Sequence, residues 1–343
     1  MSGRKAKLKK KNLQKIKKQK TKSKQQRKIA IYIVIILIVA LLGLIAYNLI
    51  PDNNSSKKHN KTSTLSNKTI KSCLRSPVFP MKYGLKAPYA VDLRQNAENM
   101  GLKILEAKTG RSLQLPGWRK FGYLGLYTLD DHGNIYTSPL PYVSIDINPP
   151  KEQNKILIVE GKTGRMSEFM NLPSKNPPTP KNPFGVIGLA FDCETKSLYA
   201  TSIAGSTFSD ESGKVFQIDP ANKKIKSTFD NHDIMGVAIF SGKNGKRLYM
   251  GMARKPEIWS VGLDEKGAFK DDFRFEFSLK DVPGGSNLKA HRIKINENRM
   301  TLKAREFSYT LIAASNSMRT IYTYDYNPQI DKWEFVELHL ENH

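Results

Sequence analysis

After a Lys-rich start the chain runs from Ile29 to Ile50 through 22 residues without a single charge. At about 1.5 Å rise per residue, a helix of that length crosses a hydrocarbon core of roughly 30 Å. Residues 51–72 are polar again and hold too few apolar side chains to offset the entropy of ordering, so they read as a flexible stalk. From Cys73 onward no long helical period occurs. Short β-rich runs alternate instead with clusters of Gly, Asn, Asp, Pro and Lys.

Two kinds of hairpin recur in that second part. One joins a strand to a polar turn ending in Gly and then to a second strand. It is seen in Ile104-Leu-Glu-Ala-Lys-Thr-Gly-Arg111 and again in Ile158-Val-Glu-Gly-Lys-Thr-Gly-Arg165, with looser copies over 215–225, 258–268 and 321–333. The other begins with an apolar strand of small residues, as in Ile187-Gly-Leu-Ala-Phe-Asp192, and ends in Leu-Tyr-Ala-Thr-Ser202. It returns over 235–251 and 126–138. Two hairpins per unit, repeating at about 45–60 residues, predict a four-stranded propeller blade. An inner strand covered by blades on both sides is apolar on both faces, which Gly-Leu-Ala-Phe and Gly-Val-Ala-Ile satisfy. Five outer hairpins are visible. A sixth blade would combine residues 73–100 with Phe335-Val-Glu-Leu-His-Leu340, which would also protect the sheet edges. The expected fold is therefore all-β, a β-propeller over 73–343, six-bladed with five or seven blades as the alternatives, behind one N-terminal transmembrane helix.

Charge changes the picture at one end only. Of a formal +25, fourteen positive charges fall in residues 1–28 and a net four in 51–72, which leaves seven for 73–343. The main domain is thus mildly basic, and nucleic acid is not an expected partner. The larger positive cluster is expected to stay in the cytoplasm, which makes residues 1–28 a cytoplasmic tail and 29–50 a signal anchor. The propeller then lies outside the cytoplasm, in a periplasm, a lumen or at the cell surface. The basic tail suits anionic lipid headgroups. Two cysteines, Cys73 and Cys193, exclude a disulfide-rich scaffold and a four-thiolate zinc site, and whether they pair is open.

The unit Gly-Leu-Ala-Phe-Asp … Leu-Tyr-Ala-Thr-Ser … Lys-Val-Phe-Gln-Ile-Asp-Pro, over 188–220, resembles blades of a six-bladed superfamily. That grouping comprises NHL-repeat, senescence-marker/gluconolactonase and strictosidine-synthase-like proteins. The gluconolactonase-like resemblance implies a divalent metal, often calcium, held in the central channel by oxygen ligands. Asn182, Asp233 and Asn287 match such a role, because each lies at or just before an inner strand. No nucleophile elbow and no H-E-x-x-H motif is present, and the six His are scattered without ligand spacing. His132 reads as a turn residue. The expected function is a membrane-anchored binding module for a protein or small-molecule ligand. The alternative is a calcium- or divalent-metal-dependent lactonase or esterase.

Overall fold

Each predicted hairpin forms, and consecutive hairpins close into sheets. The computed structural model describes residues 73–94, 100–141, 145–310 and 319–341. The expected tail, transmembrane helix and stalk lie outside the described residues. Among the described ones no helix is long and apolar enough to cross a membrane.

The first sheet holds three strands, β1 (Tyr89–Asp92), β2 (Lys103–Glu106) and β3 (Ser112–Leu113). Four sheets of four strands follow. They comprise β4–β7 (Leu124–Leu129, Ile135–Pro139, Lys155–Val159, Met166–Asn171) and β8–β11 (Val186–Asp192, Ser197–Ser202, Lys214–Asp219, Lys224–Asp230). Then come β12–β15 (Ile234–Gly242, Gly245–Met252, Glu257–Leu263, Phe269–Ser278) and β16–β19 (Lys289–Asn296, Arg299–Arg305, Arg319–Asn327, Lys332–Glu341). Every pairing is antiparallel between strands adjacent in sequence, which is the topology of propeller blades.

The propeller has five blades, not the expected six. The strands meant to complete a sixth are used elsewhere. Phe335–Leu338 lie in β19, which pairs with β18 from Arg319↔Glu341 to Asn327↔Lys332 and so finishes the fifth blade. Residues 79–83 form a 3-10 helix, and β1 pairs with β2. The repeated hairpin also shows what the first sheet is. Gly110 N–H donates to the Glu106 carbonyl at 2.9 Å and Gly164 N–H to the Glu160 carbonyl at 2.8 Å. Both glycines have φ in the left-handed region, at 73° and 77°. By this equivalence β2–β3 match the outer hairpin β6–β7, and β1–β3 match the outer three strands of a blade.

Among the described residues four inner strands, β4, β8, β12 and β16, therefore surround the axis. They approach closely because glycine stands at the contacts. A Cβ on Gly188 would sit 2.3 Å from the Met235 carbonyl oxygen, and one on Gly236 would sit 2.9 Å from Arg292 N. Between the fifth and second blades, Arg292 donates from Nη2 to the Gly125 carbonyl at 3.0 Å. β8 and β9 are buried along their whole length, as an inner position demands. The tryptophans pack between strands: Trp118 meets Phe79 edge-on, and Trp333 lies among Phe240, Tyr249 and Tyr326.

The chain enters the domain at the turns joining first to second strands. Cys73 is disulfide-bonded to Cys193 in the β8–β9 turn, with 5.5 Å between Cα atoms. Arg75 N–H donates to the Asp130 carbonyl in the β4–β5 turn, 3.0 Å away. The loops joining second to third strands, and one blade to the next, lie at the opposite end.

Candidate functional site

The residues expected to hold a metal divide into two groups. Asp233, fully buried just before β12, has a saturated carboxylate. Oδ1 accepts from the Ser206 hydroxyl and from Gly213 N–H at 3.0 Å. Oδ2 accepts from Arg254 Nε at 2.9 Å and from the Tyr309 hydroxyl at 2.5 Å. Burial and the bond to Asp233 hold the Tyr309 hydroxyl far above its ordinary pKa, so it stays a donor. Asn182, also buried, donates from Nδ2 to the carbonyls of Ile203 and Ser206 at 2.9 and 2.8 Å, while its Oδ1 accepts Phe184 N–H at 3.2 Å. Asn182 and Asp233 thus meet through Ser206. Asn287 stands apart, exposed in the turn before β16, with its carbonyl accepting Lys289 Nζ at 2.8 Å.

This set fastens a loop. Arg254 also donates to the carbonyls of Thr207, Phe208 and Asp210, at 3.0 Å or less, so it pins loop 203–213 onto the blade ends. As folded here the donor set does not fit a divalent cation. Its one carboxylate already faces a guanidinium, and the Asn182 amide turns its N–H groups to carbonyls.

An acidic group that could hold a cation lies elsewhere. Ligand atoms of Asp130, Asp131 and His132 fall within 4.8 Å of one another in the β4–β5 turn. They have other occupations. Asp130 accepts the backbone N–H of His132 and Asn134 at 2.9 and 2.8 Å, which builds the turn. Asp131 pairs with Lys196 Nζ at 2.8 Å, and that bond leads in holding its carboxyl below the usual range. His132 is the turn residue its sequence context predicts.

A different site lies on the axis. Near its start each inner strand breaks register with its neighbour: between Leu124 and Tyr127, Val186 and Gly188, Ile234 and Val237, and Ala290 and Arg292. A bulge re-aims the side chain of the extra residue. Residues inside these breaks, Gly125 and Leu126, Ile187, Met235 and His291, all line one axial cavity of about 30 Å³. Arg292 and Arg305 complete its polar wall, and Phe184 and Phe307 belong to its apolar one. The cavity lies toward the end of the strands opposite Cys73.

The bulged residue is Ile187 in the third blade, Met235 in the fourth and His291 in the fifth. The following residue, Gly188 or Gly236 in two blades, is Arg292 in the fifth. The sequence signal was therefore a break in the repeat, His291-Arg292 standing where two other blades have Ile187-Gly188 and Met235-Gly236. His291 Nδ1 is buried without a hydrogen-bond partner. Burial first, then the charges of Arg305, Arg292, Arg319 and Lys303, hold its pKa well below the ordinary 6.5. Burial and the same neighbours, Arg319 and Arg292, pull Arg305 down to about 10.

Fold and site together define a five-bladed β-propeller with a cationic cavity on its axis. No protein-family model and no curated protein matches the sequence. Similar solved structures include a luciferin-regenerating enzyme, at 13% identity and TM-score 0.45, covering 70% of this chain and 69% of that one. Another is the calcium-binding protein regucalcin from Agrobacterium tumefaciens, at 11% identity and TM-score 0.43, covering 70% and 66%. A protein from Lactobacillus plantarum matches at 11% identity and TM-score 0.44, covering 73% and 67%. Likeness at this level says nothing about activity, so function rests on the residues of the cavity.

Proposed function

We propose that the protein is a membrane-anchored, extracytoplasmic β-propeller that binds a ligand in its axial cavity. The observation that carries this reading is half-buried His291 at the cavity wall, whose Nδ1 is itself buried and has no partner among the described residues. Buried polar atoms in folded proteins are almost all satisfied, and a ligand supplies the missing partner. The Cys73–Cys193 disulfide supports an address in an oxidising compartment, and the uncharged run 29–50 behind its basic tail supports anchorage.

The test uses the full chain in detergent, screened by thermal shift against a library of charged and neutral small solutes. A solute that raises the melting temperature of the wild type, and does so much less in the cavity-filling variant Ile187→Phe, supports the reading. No shift with any solute overturns it. The metal-dependent lactonase alternative is disfavoured by the saturated oxygens of Asp233 and Asn182. Millimolar calcium is accordingly expected to leave the melting temperature unchanged, with lactone hydrolysis at background.

A further inference from the structure

The preceding reading leaves the chemical class of the ligand open, and the cavity wall supplies it. Its polar side chains are Arg292, Arg305 and His291, and no carboxylate is among its described lining residues. Arg319 and Lys303 add positive charge close behind. Elsewhere in the domain, guanidiniums withdrawn from water meet carboxylates. Arg247 bonds Asp272, Arg254 bonds Asp233 at 2.9 Å, and Arg274 bonds Asp331 and Glu276 at 2.8 and 3.0 Å. Arg305 has no ion pair among the described residues, although it is half-buried.

We propose that the axial cavity is an anion-binding site for an oxyanion, a carboxylate or phosphate group, held by Arg305, Arg292 and His291. This rests on the cavity being a ligand site and goes further by naming the ligand's charge and end group. Taking a cation out of water is costly unless a partner answers it, and Arg305 meets no carboxylate among the described residues, while the neutral His291 ring beside it keeps Nδ1 unpartnered. Apolar walls from Phe184, Ile187, Met235 and Phe307 lower the local dielectric and so strengthen attraction to a negative group. Guanidinium forks suit planar carboxylate and tetrahedral phosphate oxygens alike. Size sets a limit. One water needs roughly 10–15 Å³ of such space, so about 30 Å³ admits a small ion or the end of a larger solute.

Calorimetry on the full chain in detergent, at fixed ionic strength and low chloride, tests this with sulfate, inorganic phosphate and acetate. Hexanoate and a phosphate monoester form a second arm. Tighter binding in that arm identifies an end group of a larger solute, and equal or weaker binding identifies a free ion. Saturable binding of at least one probe is expected, weakened roughly tenfold or more by Arg305→Gln and largely restored by Arg305→Lys. In anion-free buffer Arg305→Gln is expected to melt no lower than wild type, because it removes an uncompensated charge; this separates loss of binding from loss of fold. No saturable binding to any probe, or Arg305→Gln binding like wild type, overturns the proposal. If neutral solutes still shift the wild type and fail with Ile187→Phe, the ligand-binding reading survives while the anion assignment falls.

Discussion

An imidazole held away from water among guanidiniums resists protonation, and that resistance shows in stability. The native state keeps His291 neutral below the ordinary value of 6.5, whereas the unfolded chain takes up a proton there. Protons then favour the unfolded state, so this residue's contribution is complete above pH 6.5 and lost as pH falls below it. The limiting slope is about 1.4 kcal/mol per pH unit for one proton. Chemical denaturation of wild type and His291→Gln from pH 7.5 to 5 reads it as a difference, with other titrating groups common to both. A parallel pH dependence in the two would contradict the neutral buried ring. Because the guanidiniums keep their charge over this range, sulfate affinity is expected to stay level between pH 6 and 8.

At the scale of strands and turns, the glycines of the inner strands decide how tightly the axis closes. Gly188→Ala would push a methyl group against the Met235 carbonyl and the Thr201 hydroxyl, 2.3 and 2.4 Å from the ideal Cβ. The expected loss is about 1–3 kcal/mol, read as a lower denaturant midpoint with unchanged slope. Gly117, with nothing within 4 Å of its ideal Cβ, serves as the control position for the same substitution.

This is also the scale at which the sequence was most legible. The hairpins at 104–111, 158–165, 187–202 and 235–251 all form, because two-residue alternation and turn glycines act within a dozen residues. Blade number was not legible, since it depends on whether β19 stays with β18, a choice among long-range pairings. The site was half legible. The Asx residues before inner strands were found, but whether Asn182 meets an ion or its own loop depends on where Ile203 and Ser206 fall. His291 and Arg292 carried a signal only as a departure from the other blades, and a repeat invites attention to what recurs.

For the whole molecule the long-range device is the Cys73–Cys193 bond, spanning 120 residues of chain. A cross-link over so long a loop removes much freedom from the unfolded chain, and breaking it is expected to cost about 2–5 kcal/mol. Melting with and without reductant measures this, with Cys73→Ser/Cys193→Ser as the second route. Agreement between the two routes assigns the loss to this bond. If reduction left the melting temperature unchanged, backbone contacts such as those of Arg75, Val78 and Phe79 to the β4–β5 and β6–β7 turns would suffice to hold the start of the domain.

Entry of the chain at the end of the blades remote from the cavity has a practical side. A sensor chip or affinity resin coupled upstream of Cys73 leaves the cavity end of the blades toward the flowing solution. Coupling after β19 attaches the support at the end of the blades where the cavity lies, since the last strand of the fifth blade finishes there. An analyte sensed in the first orientation and muted in the second would be bound where the inner-strand bulges converge.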